Sequence, residues 1–120
     1  MRILAAEDNA LNQFVLTSMF EGLNVDLVMT ANGAEAVEVF VEGAFDVVLM
    51  DIEMPVMDGL EAMKEIRRLE ARRAEVVRVR MIALTANIDH KRIAACLEAG
   101  ADAHVAKPIE YDALMAAVGI

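Results

Sequence analysis

The sequence predicts an α/β fold: a doubly wound (βα)5 arrangement, with a mostly parallel sheet covered by helices on both faces and a single domain over residues 1–120. Three observations predict it. Short apolar runs alternate with amphipathic stretches five times along the chain. The apolar runs lack a polar face, which suits strands buried on both sides rather than strands with one side in water. Capping side chains and glycines fall where helices must start and stop.

Each element follows from its residues. Residues 3–6 are read as the first strand and 11–21 as the first helix, stopped at Gly22, because glycine accepts the left-handed conformation at a helix end. Residues 25–29 form the second strand. Asn32 with Glu35 has the spacing of a capping box and opens a helix over 34–42. The third strand is 46–50, and Asp58 with Glu61 repeats the capping box ahead of a helix over 60–72. The fourth strand is 81–84. In "EVVRVRM" Val77, Val79 and Met81 alternate with Arg78 and Arg80, which either starts this strand earlier or leaves the arginines solvating a loop. A helix over 89–99 ends at Gly100, residues 103–105 form the fifth strand, and 111–118 the last helix.

Composition bounds the function. A chain of 120 residues that is 58% hydrophobic fits one domain with a real core. The formal charge of -9 opposes nucleic-acid binding, which needs a local positive field. Arg67, Arg68, Arg72, Arg73, Arg78 and Arg80 run against that balance; they are read as a solvated helix end, with a docking patch for an acidic partner as the alternative. Cys96 is the only cysteine, which excludes an intrachain disulfide, and it is read as a half-buried helix residue. No apolar run approaches membrane-spanning length and "MRILAAEDN" turns acidic too early for a secretory signal, so a cytoplasmic location without membrane contact is expected.

A doubly wound sheet binds ligands outside the carboxyl ends of its strands. At those ends the sequence puts Glu7 and Asp8, then Asp51, then Thr85, then Lys107 followed by Pro108. Any one acid there is commonly a cap or a loop solvator, but their convergence on one sheet edge is harder to explain that way. Crowded carboxylates need a cation or a proton among them. Lys107 neutralises part of the charge, and the rest suggests a hard divalent ion, Mg2+ with Mn2+ as a substitute. Asp8 and Asp51 are the expected direct ligands, Glu7 acts through water, and the backbone carbonyl of Glu53 is a third protein oxygen. His90 and His104 lack ligand spacing for a softer metal. With neither GxGxxG nor GxxxxGK[ST], the phosphate involved is small or protein-borne, and an Asp side chain can take it as an aspartyl phosphate.

The pieces "ILAAEDNALNQ", "TANGAEAVE", "DVVLMDIEMPVMDGLEAM", "MIALTAN" and "CLEAGADAHVAKPI" together resemble the receiver domain of bacterial response regulators, above all receivers attached to hybrid sensor histidine kinases. The resemblance covers essentially the whole chain. It implies a flavodoxin-like strand order 2-1-3-4-5, with Asp51 as phosphoacceptor and Glu7 and Asp8 as the acidic pair holding Mg2+. Thr85 resembles the hydroxyl residue that moves onto the phosphoryl group, Lys107 the lysine that pairs with it, and Pro108 the proline whose preceding bond is usually cis. Gly59 resembles the glycine of the loop after the acceptor. Glu53 and Asn87 occupy positions where receivers vary their dephosphorylation rates, and the small Ala86 leaves the phosphoryl group open to attack. Met54 and Met57 are read as apolar cover for the same loop.

By the same resemblance, the phosphodonor is a histidine kinase or a histidine phosphotransfer domain. Output passes to a downstream protein or a tethered domain, through the fourth helix, fifth strand and fifth helix. The chemistry is the domain's own phosphorylation and dephosphorylation, without small-molecule turnover. Two departures stand out. His104 sits where the family usually has a tyrosine or phenylalanine switch, with a semi-exposed strand histidine as the plain reading, and the proline common before strand four is missing. Alternatives are a receiver-like adaptor working without phosphorylation, a small phosphatase-like enzyme, or the receiver portion of a longer hybrid histidine kinase.

Overall fold

Five strands and five helices alternate in the computed structural model, which describes residues 1–54, 56–73 and 78–120. They are β1 (Arg2–Ala6), α1 (Ala10–Phe20), β2 (Asp26–Thr30), α2 (Gly33–Glu42), β3 (Val47–Asp51), α3 (Gly59–Arg72), β4 (Arg80–Thr85), α4 (His90–Ala99), β5 (Ala103–Ala106) and α5 (Tyr111–Val118). All strand pairs are parallel and the order is β2-β1-β3-β4-β5, as the resemblance implied.

Period-two alternation divides the apolar side chains between two cores. Leu4, Val48, Met50 and Met81 pack on one face with Phe40 of α2, Ile66 of α3 and Cys96 of α4. Ile3, Leu49, Ile82 and Leu84 pack on the other with Leu16 and Phe20 of α1 and Leu114 of α5. Strand β3 lies at the centre and is buried along its whole length.

The strands run slightly further than their apolar residues. β3 ends on Asp51 rather than Met50, and β4 takes in Arg80 and Thr85. Ladder hydrogen bonds belong to the backbone and ignore side-chain polarity, so hydrophobic pattern alone stops short. As a result Asp51 is paired with Leu84 in the ladder and Thr85 with Ala106. Val79 is buried between exposed Arg78 and Arg80, in line with the expected alternation, while Val77 lies outside the described residues.

Helix signals hold with small shifts. Asn32 Oδ1 accepts from the Glu35 N–H at 2.8 Å and Asp58 Oδ1 from the Glu61 N–H at 3.0 Å. The return bond of Glu35 is received from the N–H of Ala31, at 3.4 Å. Asp89, expected inside the fourth helix, is its cap and accepts from the Arg92 N–H at 2.8 Å. Gly22 and Gly100 both take positive φ, 81° and 116°.

Two expectations are corrected. The arginines divide: Arg68 and Arg72 are exposed at the end of α3, as a solvated helix end requires, but Arg67 donates to Gly100 O, Val79 O, Glu70 and Asp102, Arg73 to the carbonyls of Phe40 and Val41, and Arg80 to Ala117 O. Apart from Val79 O, which precedes β4, these carbonyls lie at or just beyond the C-terminal ends of α4, α2 and α5, where unsatisfied C=O groups attract cations. Cys96 is buried, with 1% exposure, rather than half-buried, and burial pushes its thiol pKa up. No helix among the described residues is long and apolar enough to cross a membrane.

Candidate functional site

The carboxyl end of the sheet collects the acids. Glu7 and Asp8 follow β1 immediately and Asp51 closes β3, the adjacent strand. Their carboxylate oxygens lie within 4.8 Å of one another. Glu7 and Asp51 are buried while Asp8 is exposed, so the cluster opens to solvent on the Asp8 side. α1 anchors this edge: the Asn9 N–H donates to Glu7 Oε2 at 3.1 Å, Asn9 caps the helix through Asn12 N, and Gln13 Nε2 donates to Glu7 O at 2.6 Å. Asn9 and Gln13 were not among the site residues legible in the sequence; a cap residue directly after an acidic pair was the available signal.

Lys107 enters from the end of β5. Its Nζ lies 2.9 Å from Asp51 Oδ1 and 3.1 Å from Glu7 Oε1. The Lys107–Pro108 bond is cis, in line with the resemblance. Burial is the largest influence on Asp51 and, with the neighbouring Glu7 carboxylate, pushes its pKa up to about 7 against the pull of Lys107. Burial opposes the Lys107 ammonium, but hydrogen bonding to Asp51 and the charges of Asp51 and Glu7 outweigh it and raise its pKa.

Asp51 Oδ1 also accepts from the Glu53 N–H at 3.2 Å, whereas Asp51 Oδ2 is buried with no hydrogen-bond partner among the described residues. A bare buried carboxylate oxygen costs free energy unless a ligand completes it. With an exposed acid beside it and one ammonium against three carboxylates, the donor set is hard, oxygen-only and underneutralised, which fits a hard divalent cation.

Thr85, the last residue of β4, is fully buried, and its O=C accepts from the Lys107 N–H at 2.9 Å. Its hydroxyl donates toward Glu53 Oε1 at 2.9 Å and Asn87 O at 3.0 Å, and receives the Asn87 N–H at 3.1 Å. Glu53, Thr85 and Asn87 therefore form one hydrogen-bonded group beside Asp51. The structure does not bring His104 into this group: with Ala103 and Val105 turned to the α1/α5 core, His104 is exposed on the edge strand.

The loop between Asp51 and α3 is closely fitted. A Cβ on Gly59 would stand 2.3 Å from the Asp51 carbonyl oxygen and 2.8 Å from Ile52 Cα, so only glycine lets α3 begin against the end of β3. Val56, exposed at 86%, takes φ of 73°, a strained conformation for a β-branched residue. Met54 is buried and Met57 packs beside it on the same core, the apolar cover expected of them.

A family model described as the response regulator receiver domain matches residues 3–119. The chain is 38% identical over 109 residues to hybrid signal transduction histidine kinase A of Dictyostelium discoideum, covering 90% of this chain and 5% of that protein. Among solved structures it is similar to the receiver domain of sensor histidine kinase PA1611 from Pseudomonas aeruginosa PAO1, crystallised with magnesium coordinated in its active site cleft. That match has a TM-score of 0.84 at 35% identity and covers 99% of this chain and 98% of that one. It is also similar to the Saccharomyces cerevisiae Ssk1 receiver domain, solved with the histidine phosphotransfer protein Ypd1: TM-score 0.87, 32% identity, 95% of this chain and 83% of that one. The chain spans 5% to 14% of the length of the curated relatives it matches. These relatives come from fungi and Dictyostelium as well as bacteria, so the bacterial restriction of the resemblance falls away. With a parallel sheet in order 2-1-3-4-5, an acidic cluster at its carboxyl end and a family match over nearly its full length, the chain belongs to the response regulator receiver domain family.

Proposed function

We propose that residues 1–120 act as one receiver domain of a two-component phosphorelay and accept a phosphoryl group on Asp51 from the phosphohistidine of a histidine kinase or a histidine phosphotransfer domain. The observation that carries this is Asp51 itself: a buried carboxylate with one oxygen held by Lys107 and the other without a partner among the described residues, at the end of a rigid central strand. An unpartnered oxygen on a fixed scaffold is free to be the nucleophile. Its lone pair forms the new P–O bond as the P–N bond to the donor imidazole breaks, and the electron pair leaves with the imidazole nitrogen.

Asp8 and Asp51, with Glu7 through water and the Glu53 backbone carbonyl, would hold Mg2+, for which Mn2+ substitutes. When bound, the ion supplies positive charge against the carboxylates and the incoming phosphoryl oxygens. Lys107 steadies the same charge from the β5 side, and Thr85 turns toward the phosphoryl group once it is attached. The rearranged end of β4 alters protein–protein contacts of a downstream partner or a tethered domain, in the cytoplasm. His104, exposed on β5, reports the change at the surface rather than by filling an internal pocket.

Intact mass after incubation with acetyl phosphate tests this, with and without Mg2+, on the native chain and on Asp51→Asn. The expected result is a single Mg2+-dependent phosphoryl adduct that the variant lacks. An adduct that persists in a folded Asp51→Asn protein overturns the assignment of Asp51.

A further inference from the structure

Glu53 is exposed, yet its carboxylate is engaged: Oε1 receives the Thr85 hydroxyl at 2.9 Å and the Ala86 N–H at 3.3 Å. One carboxylate oxygen thus gathers two donors from the end of β4. Thr85 has one hydroxyl proton to give, with Asn87 O at 3.0 Å as its second acceptor, and its oxygen already receives the Asn87 N–H at 3.1 Å. The one proton Thr85 can donate is therefore spent inside this group. Asp51 is paired with Leu84 in the sheet, one residue from Thr85, and its Oδ1 is tied to the Glu53 N–H. A phosphoryl group on Asp51 would place a second, more highly charged anion beside the donors that Glu53 holds.

We infer that Glu53 is an internal stand-in for the phosphoryl group: in the unmodified protein its carboxylate occupies the Thr85 O–H and the Ala86 N–H, and the phosphoryl anion must displace it to gain them. This rests on the reading of Asp51 as acceptor and gives Glu53 a definite direction of action. Glu53 is a positioning residue that works through Thr85. It holds the unphosphorylated arrangement together and opposes the phosphorylated one, first by competing for the donors and second by like-charge repulsion. Charge-assisted hydrogen bonds are the stronger kind, so the competition is substantial.

The test uses the native chain, Glu53→Ala, Thr85→Val and the double variant, titrated with fluoroberyllate, a phosphoryl mimic that adds to a carboxylate without turnover, at saturating Mg2+. Glu53→Ala is expected to bind it roughly tenfold tighter, because no internal acceptor has to be displaced. In the Thr85→Val background that gain shrinks, since the closer of the two shared donors is gone and only the Ala86 N–H remains. Before any anion is added, the Ala86 amide proton resonance of Glu53→Ala moves upfield as it loses its carboxylate acceptor. Equal or weaker binding by Glu53→Ala, an unmoved Ala86 amide, or a gain that survives in full with Thr85→Val overturns the inference; the last would leave simple charge repulsion. Failure of the native chain and Glu53→Ala alike to bind fluoroberyllate overturns the acceptor reading, and the inference with it, even where the Ala86 resonance moves.

Discussion

Lys107 Nζ stands 2.9 Å from Asp51 Oδ1, joining the end of the edge strand β5 to the end of the central strand β3. The same ammonium lies 3.1 Å from Glu7, so one cation serves two buried carboxylates. Removing one partner of a buried charge group leaves the others uncompensated, which typically costs about 3 kcal/mol. Lys107→Met is therefore expected to lower metal-free stability by about that amount in urea denaturation. Added Mg2+ should recover part of the loss, because it supplies charge to the same carboxylates. A Lys107→Met protein as stable as the native chain without metal would show that the pair carries little weight.

Asp51 gives the metal-free protein a pH dependence of defined sign. Its pKa in the folded protein is raised to about 7 from an ordinary 3.8, chiefly by burial. The folded state then binds the proton more tightly than the unfolded chain does, so the protonated carboxyl contributes stability fully below about pH 4. That contribution is lost as pH rises through about 7. In the presence of a chelator, Asp51→Asn should be more stable than the native chain at pH 8, with the difference shrinking toward pH 5. Urea midpoints of the two proteins across that range measure it. In the native chain Mg2+ affinity should rise across the same interval, because the ion and the proton compete for Asp51.

Gly59→Ala tests the fit between β3 and α3. The added Cβ meets backbone at 2.3 Å and 2.8 Å, which cannot move as a flexible side chain could. Overpacking of this kind costs roughly 1–3 kcal/mol. Because the displaced atoms belong to Asp51 and Ile52, the acetyl phosphate adduct should also form more slowly, measured by mass at early times. A normal rate in a destabilised variant would mean that the strain is absorbed by α3 alone.

Arg67 tests the opposite end of the sheet. Its guanidinium donates to Gly100 O, Val79 O, Glu70 and Asp102, and its side chain is 16% exposed. Arg67→Lys keeps the charge but not the planar fork that reaches these acceptors together, so it should recover little of the stability lost in Arg67→Leu. A loss of about 2 kcal/mol is expected in either variant, because the Val79 carbonyl loses its Arg67 donor, whereas Gly100 O keeps Arg78. Adduct formation at Asp51 should be near native in the folded fraction. A large drop in adduct yield with unchanged stability would point instead to coupling between the two ends of the sheet.

Much of this molecule is legible in its sequence. Apolar runs with no polar face specify central parallel strands, and Asn32, Asp58 and the two helix-stopping glycines act locally, within one turn of their own position. Such signals survive in one dimension because their physical causes span only a few residues. The candidates Glu7, Asp8, Asp51, Thr85 and Lys107 were also readable, since in a doubly wound sheet the residue after each strand must arrive at the same edge.

The arginines, Cys96 and Glu53 were not readable in this way. A charged residue near a helix end has the same appearance in sequence whether it meets water or a carbonyl from another element. Arg67 meets Gly100 and Asp102, and that encounter exists only once α3, α4 and β5 are packed. Likewise Glu53 becomes the acceptor for Thr85 only because β3 and β4 are neighbours in register. The sequence by itself determined the elements, the sheet edge and the identity of the clustered acids, through local propensity and pattern. The tertiary structure alone decided which donor each acid holds, because a hydrogen bond is won or lost over less than an ångström and no spacing along the chain encodes that distance.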